Sequence, residues 1–171
     1  MFLEFKDITV DFSGFRAVDQ VNMAIAEKET RVIIGPNGAG KTTLIDMLTG
    51  KTKPTSGQIL LDGKDITGKD AAEVADKYRV GRKFQGPNVF DNMSVYENIE
   101  VALSGHNKLW QTFLYHRSAA IAARIEEILE MIDLTAQRQM LPQFLSHGQR
   151  QWLEMGMVLA QDPAIITLDE P

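Results

Sequence analysis

Residues 35–42 read G-P-N-G-A-G-K-T, which matches the phosphate-binding pattern G-x-x-x-x-G-K-[ST] at every fixed position. The apolar run R-V-I-I at residues 31–34 predicts a strand before this loop, and Lys41 to Leu48 predict a helix after it. In such a strand–loop–helix unit, backbone N–H groups and the positive end of the helix dipole converge on one anion. The stretch therefore predicts an α/β unit that binds a nucleoside triphosphate.

The fixed residues of this loop have separate predicted tasks. Glycines at 35, 38 and 40 allow positive φ and close approach of the backbone to a ligand. Lys41 is expected to reach the β- and γ-phosphates, and the Thr42 hydroxyl to hold Mg²⁺. A glycine-rich turn that binds nothing is the alternative. The predicted ATP contacts of the loop are Gly35, Pro36, Asn37, Gly38, Ala39, Gly40, Lys41, Thr42 and Thr43.

Composition excludes several classes of protein. The 171 residues suit one domain, and the absence of cysteine excludes disulfides and thiolate metal sites. A net charge of −5 argues against a general nucleic-acid binder. The N-terminal residues lack the pattern of a secretory signal, and no apolar run is long enough to span a bilayer. We therefore expect a cytoplasmic protein.

The first half of the chain predicts an α/β core with an antiparallel edge sheet. Alternating apolar residues predict strands over 2–12 and 17–26, and further strands are expected at 58–61 and 80–84. A short helix is expected over 71–78.

The second half is mainly helical before it returns to the core. Helical spacing runs through residues 94–134, where Trp110, Phe113, Leu114 and Tyr115 form either the core of a small subdomain or a docking surface for a partner helix. A helix capped by Ser146 is expected over 146–160, and a strand buried on both faces over 164–168. We thus predict a single domain over 1–171, with a β subdomain and core at 1–85, a helical insert at 86–145 and a return at 146–171. The predicted class is α/β, with a mostly parallel sheet.

Two adjacent carboxylates follow the last predicted strand. Ligands of open α/β sheets bind at the carboxyl ends of strands, where Asp169 and Glu170 lie. Asp169 is expected to hold Mg²⁺ and Glu170 to polarise the attacking water as general base. A solvated acidic turn before Pro171 is the alternative.

Residues 145–149 read L-S-H-G-Q and lie between the glycine loop and the Asp-Glu pair. Together these motifs resemble those of ATP-binding cassette (ABC) ATPases, whose usual signature is L-S-G-G-Q. The resemblance spans the chain. It implies that Phe12 stacks on adenine and that Gln85 senses the γ-phosphate. The implied Mg²⁺ ligands are Thr42, Gln85 and Asp169. The implied catalytic residues are Lys41, Gln85 and Glu170. The resemblance also implies that Ser146, His147, Gly148 and Gln149 contact the ATP held by an opposite subunit.

Within this family, residues 145–154, 81–85 and 31–35 resemble the ATPase of bacterial urea importers, with branched-chain amino-acid importers as the alternative. The implied partners are a second ABC ATPase, identical or merely similar, two membrane permeases and a periplasmic solute-binding protein, with no nucleic acid. The implied location is the inner face of the plasma membrane. Residues 86–90 are the expected permease contact. His147, in place of the usual glycine, is either tolerated variation or a pH-sensitive group near phosphate.

The resemblance implies further segments after Pro171, including two strands and a switch histidine, so we expect a truncated copy with weak or absent hydrolysis of its own. A nucleotide-binding module without catalysis is therefore one alternative. A non-transport cassette is another, although the sequence has no coiled coil, tandem cassette or basic linker. A P-loop kinase is a third, but kinases lack the Ser-x-Gly-Gln helix start.

Overall fold

The computed structural model describes residues 1–82, 89–104 and 119–169. The chain divides into two compact units, Met1–Val80 and Gly81–Pro171. Among the described helices, none has the length and apolar character needed to cross a membrane. The predicted domain boundaries at 85 and 145 stay predictions.

The first unit contains a four-stranded antiparallel sheet with strand order β2-β1-β3-β4. Its strands are β1 (Leu3–Phe12), β2 (Phe15–Ile25), β3 (Ser56–Leu61) and β4 (Lys64–Asp65). One face is apolar because alternate residues of β1 and β3 pair across the ladder: Leu3 lies opposite Leu61, and Phe5 lies opposite Ile59. The antiparallel sheet predicted from alternation is confirmed.

A β-bulge interrupts the alternation of β1 at Asp7, where φ is 48° and the register shifts. The amide of Asn22 bridges this bulge: its Oδ1 accepts from the Asp7 N–H at 3.0 Å, and its Nδ2 donates to the Asp7 carboxylate at 2.7 Å. The bulge restores the inward direction of Ile8, which is fully buried.

Two helices complete the first unit. Helix α1 (Lys41–Leu48) has the predicted bounds and buries Leu44, Met47 and Leu48. Helix α2 (Ala71–Tyr78) also has its predicted bounds, and it ends at Arg79, which adopts a left-handed conformation.

The second unit is organised around three helices, α3 (Val95–Ser104), α4 (Ala119–Met131) and α5 (His147–Ala160). They share one apolar cluster, in which Ile99, Ile128 and Leu153 are fully buried. Short 3₁₀ turns at Thr135–Gln137 and Pro142–Phe144 connect α4 to α5. Strands β5 (Val80–Arg82) and β6 (Ile165–Thr167) form a two-stranded sheet. The predicted aromatic cluster at Trp110–Tyr115 lies outside the described residues.

Two strand predictions need correction. Residues 31–34 form no ladder with any strand of the described chain, and Val32 and Ile34 are 72% and 90% exposed. Strand β6 forms as predicted but is not buried on both faces, since Ile166 and Leu168 remain exposed. The physical reason is common to both. An apolar run is a buried strand only when neighbouring strands supply ladder bonds and cover its faces, and the described sheets supply β6 with β5 alone.

Candidate functional site

The glycine loop folds as a tight turn that leads directly into α1. The N–H of Ala39 donates to the carbonyl of Pro36 at 3.2 Å, while Gly38 and Gly40 have φ of 81° and 82°. Gly40 is the N-cap residue of α1, and no side chain caps this helix. Since an α-helix leaves its first N–H groups without intrahelical partners, the start of α1 offers backbone donors to a ligand.

Gly40 is required for a second reason, which is steric. A Cβ added at this position would lie 2.3 Å from the carbonyl oxygen of Ala17 and 3.1 Å from the Val18 side chain. The loop therefore lies against the backbone of β2. Gly38 differs, because a Cβ there would meet nothing within 4 Å.

The Lys41 side chain folds back over the loop. Its ammonium donates to the carbonyl of Gly35 at 2.7 Å and to that of Pro36 at 2.8 Å. An ammonium has three donors, so these bonds hold it above the loop with capacity for an anionic oxygen. The sequence predicted a phosphate role for Lys41 but could not indicate this resting position.

The approach to the loop is anchored by Glu29. Its carboxylate accepts from the Ala26 N–H at 2.8 Å and from Arg31 Nε at 2.8 Å. The hydrogen bond from Ala26 lowers the pKa of Glu29, and the guanidinium of Arg31 lowers it further. Arg31 Nη2 also donates to the carbonyl of Ala24 at 3.4 Å, which joins this segment to the end of β2.

Two aromatic side chains stand at the β1–β2 turn of the same unit. Phe12, the predicted adenine contact, lies opposite Phe15 across the residues Ser13 and Gly14, which both have positive φ. Residues directly opposite in an antiparallel pair share a face, and Phe12 and Phe15 are 50% and 66% exposed. Sequence reasoning missed Phe15, although its position directly after the two-residue turn was a usable signal.

The second predicted anion site lies at the start of α5, in the other unit. Ser146 caps this helix in a capping box: its Oγ accepts from the Gln149 N–H at 3.2 Å, and its own N–H donates to Gln149 Oε1 at 2.9 Å. The cap predicted at Ser146 is confirmed. His147 and Gly148 are exposed, and His147 Nε2 lies 3.2 Å from Gln151 Nε2.

The remaining predicted site residues divide between described and undescribed positions. Asp169 lies two residues beyond the end of β6 and is half-buried. Gln85 and Glu170 lie outside the described residues. The donors assigned to the metal are a hydroxyl, a carboxylate and an amide, all oxygen ligands of the type that Mg²⁺ prefers.

A family model described as "ABC transporter" matches residues 18–171. This match includes the glycine loop, the capped start of α5 and Asp169. The chain belongs to the ABC transporter family. Its resemblance to ABC ATPases, drawn from the sequence motifs, is confirmed.

Relatives of this ABC protein serve different solutes. It is 38% identical over 176 residues to the high-affinity branched-chain amino acid transport ATP-binding protein BraF of Pseudomonas aeruginosa, covering 99% of this chain and 69% of BraF. It is 34% identical over 171 residues to the sulfate/thiosulfate import ATP-binding protein CysA of the same organism, covering 100% of this chain and 50% of CysA. The chain thus spans about half the length of the CysA proteins that it matches.

Solved ABC proteins share the fold. The cbiO1 protein of Clostridium perfringens, part of the ABC transporter complex cbiONQ, has a TM-score of 0.84 and 28% identity, with 99% of this chain and 65% of cbiO1 covered. A dimeric, post-hydrolysis cassette named MJ0796, bound to ADP and Pi, has a TM-score of 0.74 and 28% identity, with 99% and 74% covered. The predicted fold class, a P-loop NTPase cassette with an antiparallel β subdomain and a helical part, is confirmed.

Proposed function

We propose that this chain is the ATP-binding part of a subunit that hydrolyses ATP to drive a bacterial ABC importer. The observation that carries the proposal is the start of α1. This helix has no side-chain cap, follows a glycine loop, and begins with a lysine whose ammonium is held over that loop. Backbone donors, a helix dipole and a fixed cation at one point are suited to a polyphosphate.

The proposed tasks of the residues rest on their chemistry and, for Phe12 and Gln85, on the resemblance to ABC ATPases. The loop N–H groups and Lys41 bind the β- and γ-phosphates, and Phe12 stacks on adenine. Thr42, Gln85 and Asp169 hold Mg²⁺, which when bound neutralises charge on the phosphates. Glu170 takes a proton from the attacking water, so a Glu170→Gln chain should bind ATP without turnover.

We propose that hydrolysis requires a second cassette. Ser146, His147, Gly148 and Gln149 would contact the ATP held by the opposite subunit. The exposed start of α5 supports this role, because Gly148 has open space where a side chain would stand. The dimeric state of MJ0796 with ADP and Pi, described for that protein, supports the same arrangement.

We further propose that two permeases and a periplasmic solute-binding protein complete the importer, with the ATPase at the inner face of the membrane. Phe90 supports the permease contact, since this large apolar side chain is 48% exposed. Phe90→Asp should lower coupled transport by about tenfold, a loss typical of one interface residue, while leaving ATP affinity unchanged. Transport assays in the assembled importer, with wild type and Phe90→Asp side by side, would measure this, and unchanged transport would refute the contact.

Urea is the proposed solute, supported by the resemblance of residues 145–154 to urea importer ATPases. Branched-chain amino acids are the second candidate, favoured by the 38% identity to BraF. The assembled importer distinguishes them: its ATPase rate should rise when the binding protein is loaded with urea and not when it is loaded with leucine.

The ATPase rate of the full-length gene product, measured against its own concentration, tests the proposal. A cassette that works in pairs should show a rate per subunit that increases with concentration, whereas a kinase or a simple binding module should not. Lys41→Ala should lower ATP affinity by about tenfold to hundredfold, since it removes a charged hydrogen-bond donor. Lys51→Ala, at an exposed lysine paired with Asp46, is the matched control and should change little.

A further inference from the structure

The turn before α3 is held by one buried side chain. Asn98 is fully buried in α3, and its Oδ1 accepts from the Phe90 N–H at 2.8 Å. Its Nδ2 donates to the carbonyls of Phe90, Met93 and Ser94 at 3.1, 3.1 and 2.9 Å. A single amide thus fixes the whole turn from Phe90 to Ser94, hereafter the Phe90 turn.

The end of this turn is joined to the segment that leads into α5. Ser94 and Glu97 form a capping box, with the Ser94 N–H donating to Glu97 at 2.7 Å. The next two residues donate to backbone carbonyls in the segment before α5. The Val95 N–H donates to the carbonyl of Met140 at 2.9 Å, and the Tyr96 N–H donates to that of Arg138 at 2.9 Å. The Phe90 turn is therefore fixed at its base, while Phe90 itself remains exposed.

A direct link connects the Phe90 turn to the first turn of α5. Arg150 Nη2 donates to Asp91 Oδ1 at 2.7 Å, between residues 59 apart in sequence. The Arg150 side chain is 27% exposed and that of Asp91 is 56% exposed. The Arg150 N–H also donates to the carbonyl of Ser146 at 2.9 Å. Arg150 therefore joins Asp91 to the Ser146 cap of α5.

We propose that Asp91 and Arg150 are positioning residues that set the direction of the Ser146 cap from the Phe90 turn. The inference rests on the proposed function, in which Ser146 contacts ATP in trans and Phe90 contacts a permease. A displacement of the Phe90 turn moves the Asp91 carboxylate, and the guanidinium of Arg150 moves with it. The N–H of Arg150 forms the first backbone hydrogen bond of α5, to the carbonyl of Ser146, so the displacement reaches the cap. A part-exposed ion pair adds little to fold stability, so its effect lies in orientation.

The test compares three variants of the full-length gene product with its companion subunits: Asp91→Asn, Arg150→Gln, and the exchange Asp91→Arg with Arg150→Asp. The kcat should fall about tenfold in each single variant, because small misplacements of a reacting group cost one to two orders of magnitude. The KM for ATP and the binding of a fluorescent ATP analogue should stay within about twofold. The exchange should recover at least half of the lost rate, because it restores the ion pair between the two positions. A fall in kcat at unchanged KM and binding is the result that a merely structural role would not give.

Arg124→Gln is the matched control, since Arg124 forms its ion pair at 2.6 Å with Glu127 of its own helix, α4, in the same unit. It should retain the wild-type kcat. Wild-type kcat in Arg150→Gln, or an equal loss in Arg124→Gln, overturns the inference while leaving the proposed ATPase intact. A wild-type protein that never hydrolyses ATP overturns both, and the two failures are thus distinguishable.

Discussion

The two helix starts that the sequence assigns to phosphate differ in how their N–H groups are satisfied. Helix α1 begins at a left-handed glycine, Gly40, with no side-chain cap. Helix α5 begins at Ser146 in an extended conformation and is closed by a reciprocal capping box with Gln149. The first start has no side-chain cap, while in the second the Ser146 side chain already accepts from the Gln149 N–H.

This difference has a consequence for the order of events. A serine or threonine cap stabilises a helix by about 1 kcal/mol, and α1 lacks it until an anion arrives. Helix α5 keeps its cap in an isolated subunit, so it presents an ordered surface before any phosphate is near. We infer that nucleotide binds first at α1 and that α5 of the opposite subunit then closes on it.

The largest loss of stability and of nucleotide binding is expected from Gly40→Ala, at the start of α1. The added Cβ would meet the Ala17 carbonyl at 2.3 Å in a backbone with φ of 82°. Left-handed strain and overpacking together should cost about 3 kcal/mol and abolish nucleotide binding. Gly38→Ala is the control, because it adds strain without a clash and should cost about 1 kcal/mol. Urea unfolding and nucleotide titration measure both, and equal losses in the two variants would remove the steric argument.

A smaller and sharper effect is expected from Ser146→Asp beside Ser146→Asn. Both side chains are good caps, so the free energy of unfolding of each variant should lie within about 0.5 kcal/mol of the wild-type value. Only aspartate places a negative charge where the γ-phosphate is proposed to lie. The ATPase rate should therefore fall about tenfold or more in Ser146→Asp and much less in Ser146→Asn. Equal rates would mean that the start of α5 does not contact phosphate.

The smallest effect concerns the anchor before the loop. The pKa of Glu29 is held below its ordinary value of 4.5, so the charged form is favoured in the folded state. Its contribution to stability is present above pH 4.5 and is lost as pH falls through the lowered pKa. Glu29→Gln should therefore be slightly less stable than wild type at pH 7, with the difference closing as pH falls through the lowered pKa of Glu29. Urea unfolding at several pH values checks this, and a difference that does not depend on pH would contradict it.

Local features of the fold and the site could be predicted from the sequence, whereas features that depend on distant segments could not. The bounds of α1, the cap at Ser146 and the antiparallel sheet depend on short patterns that act over a few residues. The strand predicted at 31–34 was wrong because its apolar residues say nothing about whether a neighbouring strand covers them. The contact of Gly40 with Ala17, and the resting bonds of Lys41, depend on how distant backbone segments meet. Gln85 and Glu170 remain predictions, as do the solute and the partners.

The most direct measurement of the central claim is the mass in solution of the full-length Glu170→Gln protein, alone and mixed with its companion ATPase, with and without ATP and Mg²⁺. We expect monomers without nucleotide and a stable dimer with it, and the same chain carrying Ser146→Asp should stay monomeric. A protein that binds ATP but remains monomeric in every mixture would contradict the claim that two cassettes share each nucleotide.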